Sequence, residues 1–259
     1  MHPNPVSISL SSYGASLVRQ HGQDSFLPML AAAGVDRVEL REELFVQPPD
    51  AAALTAALES ARLECVYSSP LELWTPTGTL DERLSETLAA ARALGAVALK
   101  VSLGYYQSHC DVAALKTVLK PGDPQLLVEN DQTQQGGRVE PLLHFFQRVQ
   151  ALSVPVGMTF DIGNWQWRGE SALQAARLLG RWVRYVHCKA VERAASGRLA
   201  AVPPQAFDLK AWETLFGAFA PGVPRAVEYP LVGEDLLTVT RDQVRRLRAL
   251  GAALEVGHA

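Results

Sequence analysis

The chain has 259 residues, a length that fits one large globular domain or two small ones. Its formal net charge is -3 and its basic residues are scattered, which excludes the dense basic footprint of a nucleic-acid-binding protein. Three cysteines without close spacing indicate neither a disulfide framework nor a cysteine-type zinc site. We expect a cytoplasmic protein, because the N-terminus lacks the pattern of a signal peptide and no apolar run is long enough to cross a membrane.

Short strand-like runs alternate with segments of helical periodicity along the whole chain. The runs lie at residues 6–10, 36–40, 63–69, 96–103, 125–130, 156–161, 183–188 and 225–230. Repeats of this kind predict a parallel sheet covered by helices, and eight of them in a chain of this length predict a single (β/α)8 TIM barrel, an α/β fold spanning residues 1–259. A doubly wound open sheet is the main alternative, but the turn after the first run, "SSYGAS", lacks a glycine-rich dinucleotide fingerprint.

The longest irregular stretch, residues 191–207, follows the seventh strand-like run. In a barrel of this type the loops that follow the strands build the active site. We therefore expect this stretch to be an active-site loop.

Polar residues end four consecutive strands, each behind a run of apolar residues: Glu129, Asp161, His187 and Glu228. One such carboxylate alone is more often a loop residue or a helix N-cap, and a single histidine is more often a core residue. Neighbouring barrel strands, however, direct their terminal inward side chains at one point. Three carboxylates at that point would repel one another unless a cation lay between them, so the pattern predicts a site for a fairly hard divalent ion such as Mn2+, Mg2+ or Co2+.

The chain resembles the xylose isomerase-like barrel superfamily of sugar isomerases and epimerases, which also includes inosose and 3-dehydroshikimate dehydratases. The resemblance spans essentially all the strands and is most specific in "VEND", "FDIGNW", "YVHCK" and "VEYP". It implies that one divalent ion (Mn2+, Mg2+, Co2+ or Zn2+) is held by Glu129, Asp161, His187 and Glu228. It also implies an enzyme that acts on a polyhydroxylated carbonyl compound.

Two positions, 131 and 190, depart from patterns common in that superfamily. Ala190 stands where many relatives have Asp, and Asp131 stands where relatives often have His. The ketose epimerases carry a Glu three residues past the metal-binding His that this chain lacks, although Arg193 matches their Arg. The superfamily also includes an apurinic endonuclease, whose trinuclear zinc cluster needs many more histidines. This chain has six histidines, of which His2, His21 and His258 lie near the termini or in the first helix region, so we do not expect the endonuclease function.

Proton abstraction beside a carbonyl is the reaction that this resemblance favours, with a metal-stabilised enediolate and with Glu129 and Glu228 as the two catalytic carboxylates. Six further residues are candidates for substrate binding: Lys189, Arg193, Glu39, Asn130, Asn164 and Trp165. Alternative interpretations stay open for several of them. Lys189 could pair with Asp161 or Glu228, Arg193 could be a solvated loop charge, and Trp165 could pack within its loop.

The function expected from these features is a metal-dependent isomerase or epimerase of a sugar or a related polyhydroxy compound. A metal-dependent dehydratase of the same fold is one alternative, and a catalytically degenerate sugar-binding barrel is another. The expected partner is a small sugar-like or polyol-derived molecule, with neither nucleic acid nor membrane, and the resemblance also allows a homo-oligomer.

Overall fold

The computed structural model describes residues 4–251, so His2 and His258 lie outside the described residues. Within this range eight parallel strands close into a barrel, which confirms the predicted (β/α)8 architecture. The barrel strands are β1 Val6–Ser9, β2 Arg37–Arg41, β3 Glu64–Trp74, β4 Ala98–Gly104, β5 Gln125–Glu129, β6 Val156–Asp161, β7 Val183–Cys188 and β10 Arg225–Val227. Strand β10 pairs with both β7 and β1 and so completes the closure.

Helices cover the outside of the barrel and connect its strands. They are α1 Ala15–His21, α2 Leu27–Ala32, α3 Ala51–Ala61, α4 Leu84–Ala93, α5 Leu115–Val118, α6 Val139–Ala151, α7 Ala172–Leu179, α8 Ala206–Phe216 and α9 Leu236–Ala249. Several begin at a side-chain cap: the Asp50 carboxylate, for example, accepts a hydrogen bond from the backbone N–H of Ala53 at the start of α3. Among residues 4–251, none of the helices combines the length and apolarity needed to cross a membrane.

A two-stranded antiparallel hairpin occupies most of the stretch that we expected to be irregular after β7. It consists of β8 Ala190–Arg193 and β9 Leu199–Val202. Gly197 has φ +81° and allows the tight turn that joins the two strands. The expectation of an irregular loop was therefore wrong over these residues, because the segment satisfies its backbone hydrogen bonds by pairing with itself.

Side chains that point into the barrel form two levels. The lower level is a small apolar cluster made by Val66, Ala98, Leu127, Tyr185 and Ala226. Because side chains alternate along a strand, the residues two positions further along share the same inward face. These next residues include Lys100, Glu129, His187 and Glu228, so a charged level lies above an apolar floor at the carboxyl end of the barrel.

Candidate metal centre

Four side chains from four neighbouring strands converge at the carboxyl end of the barrel. Glu129 and Asp161 end β5 and β6, His187 lies near the end of β7, and Glu228 directly follows β10. One potential ligand atom from each lies within 4.8 Å of the others. The structure thus brings together all four residues that the sequence predicts as metal ligands.

The Nδ1 atom of His187 lies at the centre of this group. It is 2.7 Å from Glu129 Oε1, 3.0 Å from Glu228 Oε2 and 3.7 Å from Asp161 Oδ2. His187 and Asp161 are fully buried, and Glu129 and Glu228 expose only a small part of their side chains. The group is therefore sheltered from bulk solvent but reachable from the barrel mouth.

Three of these buried atoms make no well-directed hydrogen bond within residues 4–251: Glu129 Oε1, Asp161 Oδ2 and His187 Nδ1. Asp161 Oδ2 does have an ion-pair partner, the Lys189 ammonium at 2.7 Å. The three atoms lie close together, yet their directions do not suit hydrogen bonds with one another. Unsatisfied buried polar atoms are rare and call for a partner such as an ion. Oxygen and imidazole donors suit a divalent cation, so these residues fit the ion that the sequence predicts.

Glu39 holds the far side of the His187 ring. The ring Nε2 lies 2.6 Å from Glu39 Oε2, and both side chains are fully buried. A carboxylate behind a metal-binding histidine fixes the orientation of the ring and leaves the other nitrogen for the ion. Arg41 and Ser9 contact the second oxygen of Glu39 at 3.1 Å and 3.4 Å. The structure thus places Glu39, a substrate-binding candidate from the sequence, directly behind the histidine ring.

The sequence patterns did not predict that Lys100 and Arg41 lie in this cluster. Lys100 on β4 contacts Glu129 Oε2, and the Arg41 guanidinium on β2 donates to Glu228 Oε1 at 2.9 Å. Both share the inward face of their strands, since Lys100 lies two residues after Ala98 and Arg41 two after Glu39. Strand alternation was the signal that could have revealed them.

Charged neighbours keep Glu129 and Glu228 ionised. Burial raises the pKa of Glu129, but the Lys100 ammonium and the His187 ring outweigh this effect and lower it to about 2. Burial likewise raises the pKa of Glu228, yet His187 and Lys189 hold it well below its usual range. Both carboxylates therefore carry a negative charge at neutral pH.

The pKa values of His187 and Asp161 are both raised. Burial alone would lower the pKa of His187, but the carboxylates of Glu228, Glu39 and Glu129 outweigh it and raise this pKa well above 6.5. Burial raises the pKa of Asp161 despite nearby positive charge. The carboxylates therefore create a negative potential at the centre of the group, which favours a positive charge there.

Asn130 and Asn164 surround Asp161. The Asn130 amide donates to the backbone carbonyl of Asp161 at 2.9 Å and accepts from its backbone N–H at 2.8 Å. The backbone N–H of Asn164 donates to Asp161 Oδ1 at 2.8 Å, and its amide donates to the Asn130 carbonyl. These contacts tie β5 to β6 and leave the other oxygen of Asp161, Oδ2, facing His187 and Lys189.

The remaining predicted residues are placed differently. Lys189 forms ion pairs with Asp161 at 2.7 Å and with Glu228 at 2.8 Å. Pairing with these residues was the alternative to substrate binding in the sequence-based interpretation. Trp165 is fully buried and packs on Phe160, so it belongs to the core and not to an open wall of the site. Arg193 is exposed on the hairpin, where its guanidinium donates to the Gly197 carbonyl.

No protein-family model matches the chain, and a comparison with curated protein sequences gives no match. Solved structures do match it in shape. An L-ribulose 3-epimerase is 16% identical, with 99% of this chain and 98% of that chain covered and a TM-score of 0.68. A xylose isomerase-like TIM barrel protein from Mycobacterium smegmatis, in complex with magnesium, is 14% identical over 98% of both chains with a TM-score of 0.60. The chain has the xylose isomerase-like barrel fold.

Proteins of several other descriptions share this xylose isomerase-like barrel. The probable 3-DHS dehydratase AsbF from Bacillus anthracis is 13% identical, with 94% of this chain and 98% of that chain covered and a TM-score of 0.65. The IOLI protein with a binding zinc atom is 12% identical with a TM-score of 0.68, covering 98% of this chain and 99% of its own. Endonuclease IV from Thermus thermophilus is 19% identical with a TM-score of 0.62, and the match covers 94% of this chain and 98% of that chain. Identities this low show the fold, and the chemistry has to be argued from the site.

Proposed function

We propose that this protein is a divalent-metal-dependent isomerase or epimerase of a sugar or a related polyhydroxy carbonyl compound. The observation that carries the proposal is the convergence of Glu129, Asp161, His187 and Glu228, three of which contribute a buried ligand atom that makes no well-directed hydrogen bond. Solved neighbours of the same fold that are described as sugar epimerases support it. A divalent ion held by these four residues would stabilise the negative charge that develops on substrate oxygens when a carbon-bound proton leaves.

Glu129 and Glu228 are the residues that move the proton in this proposal. They come from the two ends of the four-strand arc β5, β6, β7 and β10, so they approach a substrate from different sides. Both are ionised at neutral pH, as a proton acceptor must be. One would take the proton from carbon and become protonated. The other, which is also ionised, would first have to take up a proton from solvent before it returns one to the carbon skeleton.

The other members of the cluster hold this pair in position. Asn130 and Asn164 fix Asp161, and Glu39 fixes the ring of His187. Lys100 and Arg41 each contact the outer oxygen of one catalytic glutamate. Rigid placement of this kind lowers the cost of reaching the geometry in which the proton moves.

Exchange of a substrate proton with solvent provides the direct test of this function. The protein is incubated in D2O with a panel of ketoses and aldoses and with Mn2+, Mg2+, Co2+ or Zn2+, and NMR follows deuterium at carbon. We expect exchange with at least one sugar, and a loss of about 100-fold or more in Glu129→Gln and Glu228→Gln, because each removes a proton-transferring group.

Glu192→Gln is the matched control, since Glu192 is exposed on the hairpin and outside the cluster. Exchange that survives in either of the two cluster variants would contradict the two-carboxylate mechanism. Binding of metal and sugar with no exchange would instead support a binding protein on this fold.

A metal-dependent dehydratase is the second candidate. The position of the Lys189 ammonium favours it. This ammonium lies in the cluster beside Glu228 and could protonate a leaving hydroxyl group. The fold neighbour described as a probable 3-DHS dehydratase agrees with this possibility. Product analysis separates the two, because a dehydratase releases water and forms a conjugated, ultraviolet-absorbing product whereas an isomerase conserves mass.

A further inference from the structure

The ammonium of Lys189 contacts the oxygens that the candidate metal centre needs. Its Nζ atom lies 2.7 Å from Asp161 Oδ2 and 2.8 Å from Glu228 Oε2. These are also the two oxygens that face His187 Nδ1. A divalent ion bound at these atoms would be a close neighbour of the Lys189 charge, and like charges at such a distance repel.

The other two cations of the cluster do not compete in this way. Lys100 contacts Glu129 Oε2, whereas Oε1 of the same carboxylate faces His187. Arg41 contacts Glu228 Oε1, whereas Oε2 faces His187. Lys100 and Arg41 therefore support the glutamates from outside, and Lys189 occupies the inner oxygens.

The side chain of Lys189 is flexible and 7% exposed. It is unbranched, and a flexible four-carbon stem allows its ammonium to be re-aimed. Gly163 packs against this stem, because a Cβ atom at position 163 would lie only 2.7 Å from Lys189 Cγ. The paired Glu228 side chain is 12% exposed, so the barrel mouth is close to the ammonium.

We propose that Lys189 is an internal counter-ion that the metal displaces, and that its ammonium then turns to the barrel mouth and binds an acidic group of the substrate, a carboxylate or a phosphate. This inference rests on the proposed function, and it narrows the substrate to a polyhydroxy compound with its own negative charge. Entry of the ion and binding of the acidic group thereby favour each other.

The charges of the buried cluster agree with this assignment. Its carboxylates are Glu39, Glu129, Asp161 and Glu228, and its permanent cations are Arg41, Lys100 and Lys189. A divalent ion brings the positive charges to one more than the negative charges when His187 is neutral. Glu43, which also contacts Arg41, is partly solvated at the rim. An acidic substrate would restore the balance inside the cluster, and a neutral sugar would not.

The first experiment measures Mn2+ affinity by calorimetry on metal-stripped full-length protein. Lys189→Met removes the competing charge, and Lys100→Met is the matched control because it removes a buried ammonium that contacts only an outer oxygen. We expect Lys189→Met to bind Mn2+ at least tenfold more tightly than the wild type and also more tightly than Lys100→Met. Equal or weaker binding in a Lys189→Met protein with a cooperative thermal transition would overturn the proposal.

The second experiment first uses the unmodified protein, so it does not depend on the folding of a variant. Binding of D-glycerate, inorganic phosphate and glycerol is compared with and without Mn2+. We expect an anion to bind at least tenfold more tightly in the presence of Mn2+, with no such gain for glycerol, and the tighter of the two anions identifies the acidic group. No preference for either anion over glycerol would overturn the proposal.

Metal-loaded Lys189→Met and Lys100→Met are then tested in the same way, because glycerate could also contact the ion directly. The preference for anions should disappear in Lys189→Met and persist in Lys100→Met, and its persistence in Lys189→Met would count against the assignment. If the wild type binds no Mn2+ at all, the proposed function fails together with this inference. If it binds Mn2+ but Lys189→Met behaves like the wild type, only the inference fails.

Discussion

The two ring nitrogens of His187 have separate tasks. Nε2 contacts the buried carboxylate of Glu39 at 2.6 Å, and Nδ1 faces Glu129, Asp161 and Glu228. The contact with Glu39 selects the tautomer and holds the ring plane. In the proposed metal site, the position of one buried carboxylate on β2 would therefore control how well a residue on β7 binds the ion.

Glu39→Gln should weaken metal binding without preventing folding. Glutamine has nearly the same shape but loses the charge that orients His187, and changes behind a ligand typically cost about 10–100-fold in metal affinity. Competition with a chromophoric chelator measures this loss. Glu43→Gln is the control, because Glu43 also contacts Arg41 but lies at the partly solvated rim. Equal affinities in the two variants would show that Glu39 does not position the histidine.

Individual residues show where sequence reasoning succeeds and where it ends. The four ligand candidates were predictable because each ends an apolar strand. Lys100 was not recognised, since a lysine inside a strand pattern looks like an interruption until alternation places it on the inward face. The exposed position of Arg193 depends on the hairpin, and no local pattern had indicated that this segment pairs with itself.

The strands themselves follow the sequence closely. β6 and β7 span the residues that periodicity predicts, and most other boundaries differ by one or two residues. The exceptions are β3, which continues to Trp74 through an irregularity between Ser68 and Glu72, and β10, which ends at Val227. Apolar runs define buried parallel strands well, whereas a bulge depends on contacts with neighbouring strands that a sequence pattern does not contain.

Gly104, at the end of β4, should be far less tolerant of substitution than a glycine on the hairpin. Gly104 has φ +68°, and a Cβ atom there would overlap the Trp74 carbonyl oxygen and lie 2.8 Å from Glu72 Cβ. Gly197 has φ +81° with no atom within 4 Å of its Cβ position. Gly197→Ala should cost about 1–2 kcal/mol for the backbone conformation alone, and Gly104→Ala about 1–3 kcal/mol more for the overlap.

Urea unfolding of the two glycine variants measures this difference in the free energy of unfolding. The backbone conformation is comparable in both, so the difference isolates the packing of β3 against β4. Equal stabilities would mean that the strands separate easily at this end of the barrel.

For the molecule as a whole, the candidate metal centre joins four adjacent strands of a closed barrel. An ion that binds only the folded chain should raise its unfolding temperature. At about 100 times its Kd, Mn2+ should contribute about 2.7 kcal/mol, or about 5–10 °C for a domain of this size. Thermal unfolding with Mn2+ and with EDTA measures the shift, and Asp161→Ala should abolish it. A shift of equal size in that variant would place metal binding elsewhere.

The balance of charge inside the barrel affects how the metal-free chain folds. Four buried carboxylates would oppose closure of the strands if they met unpaired. Here Lys100, Lys189, Arg41 and His187 accompany them from the same chain. A newly synthesised polypeptide can therefore complete its barrel before any ion arrives. If the proposed site binds an ion, metal acquisition would be a step of maturation, governed by which ion is present after folding is finished.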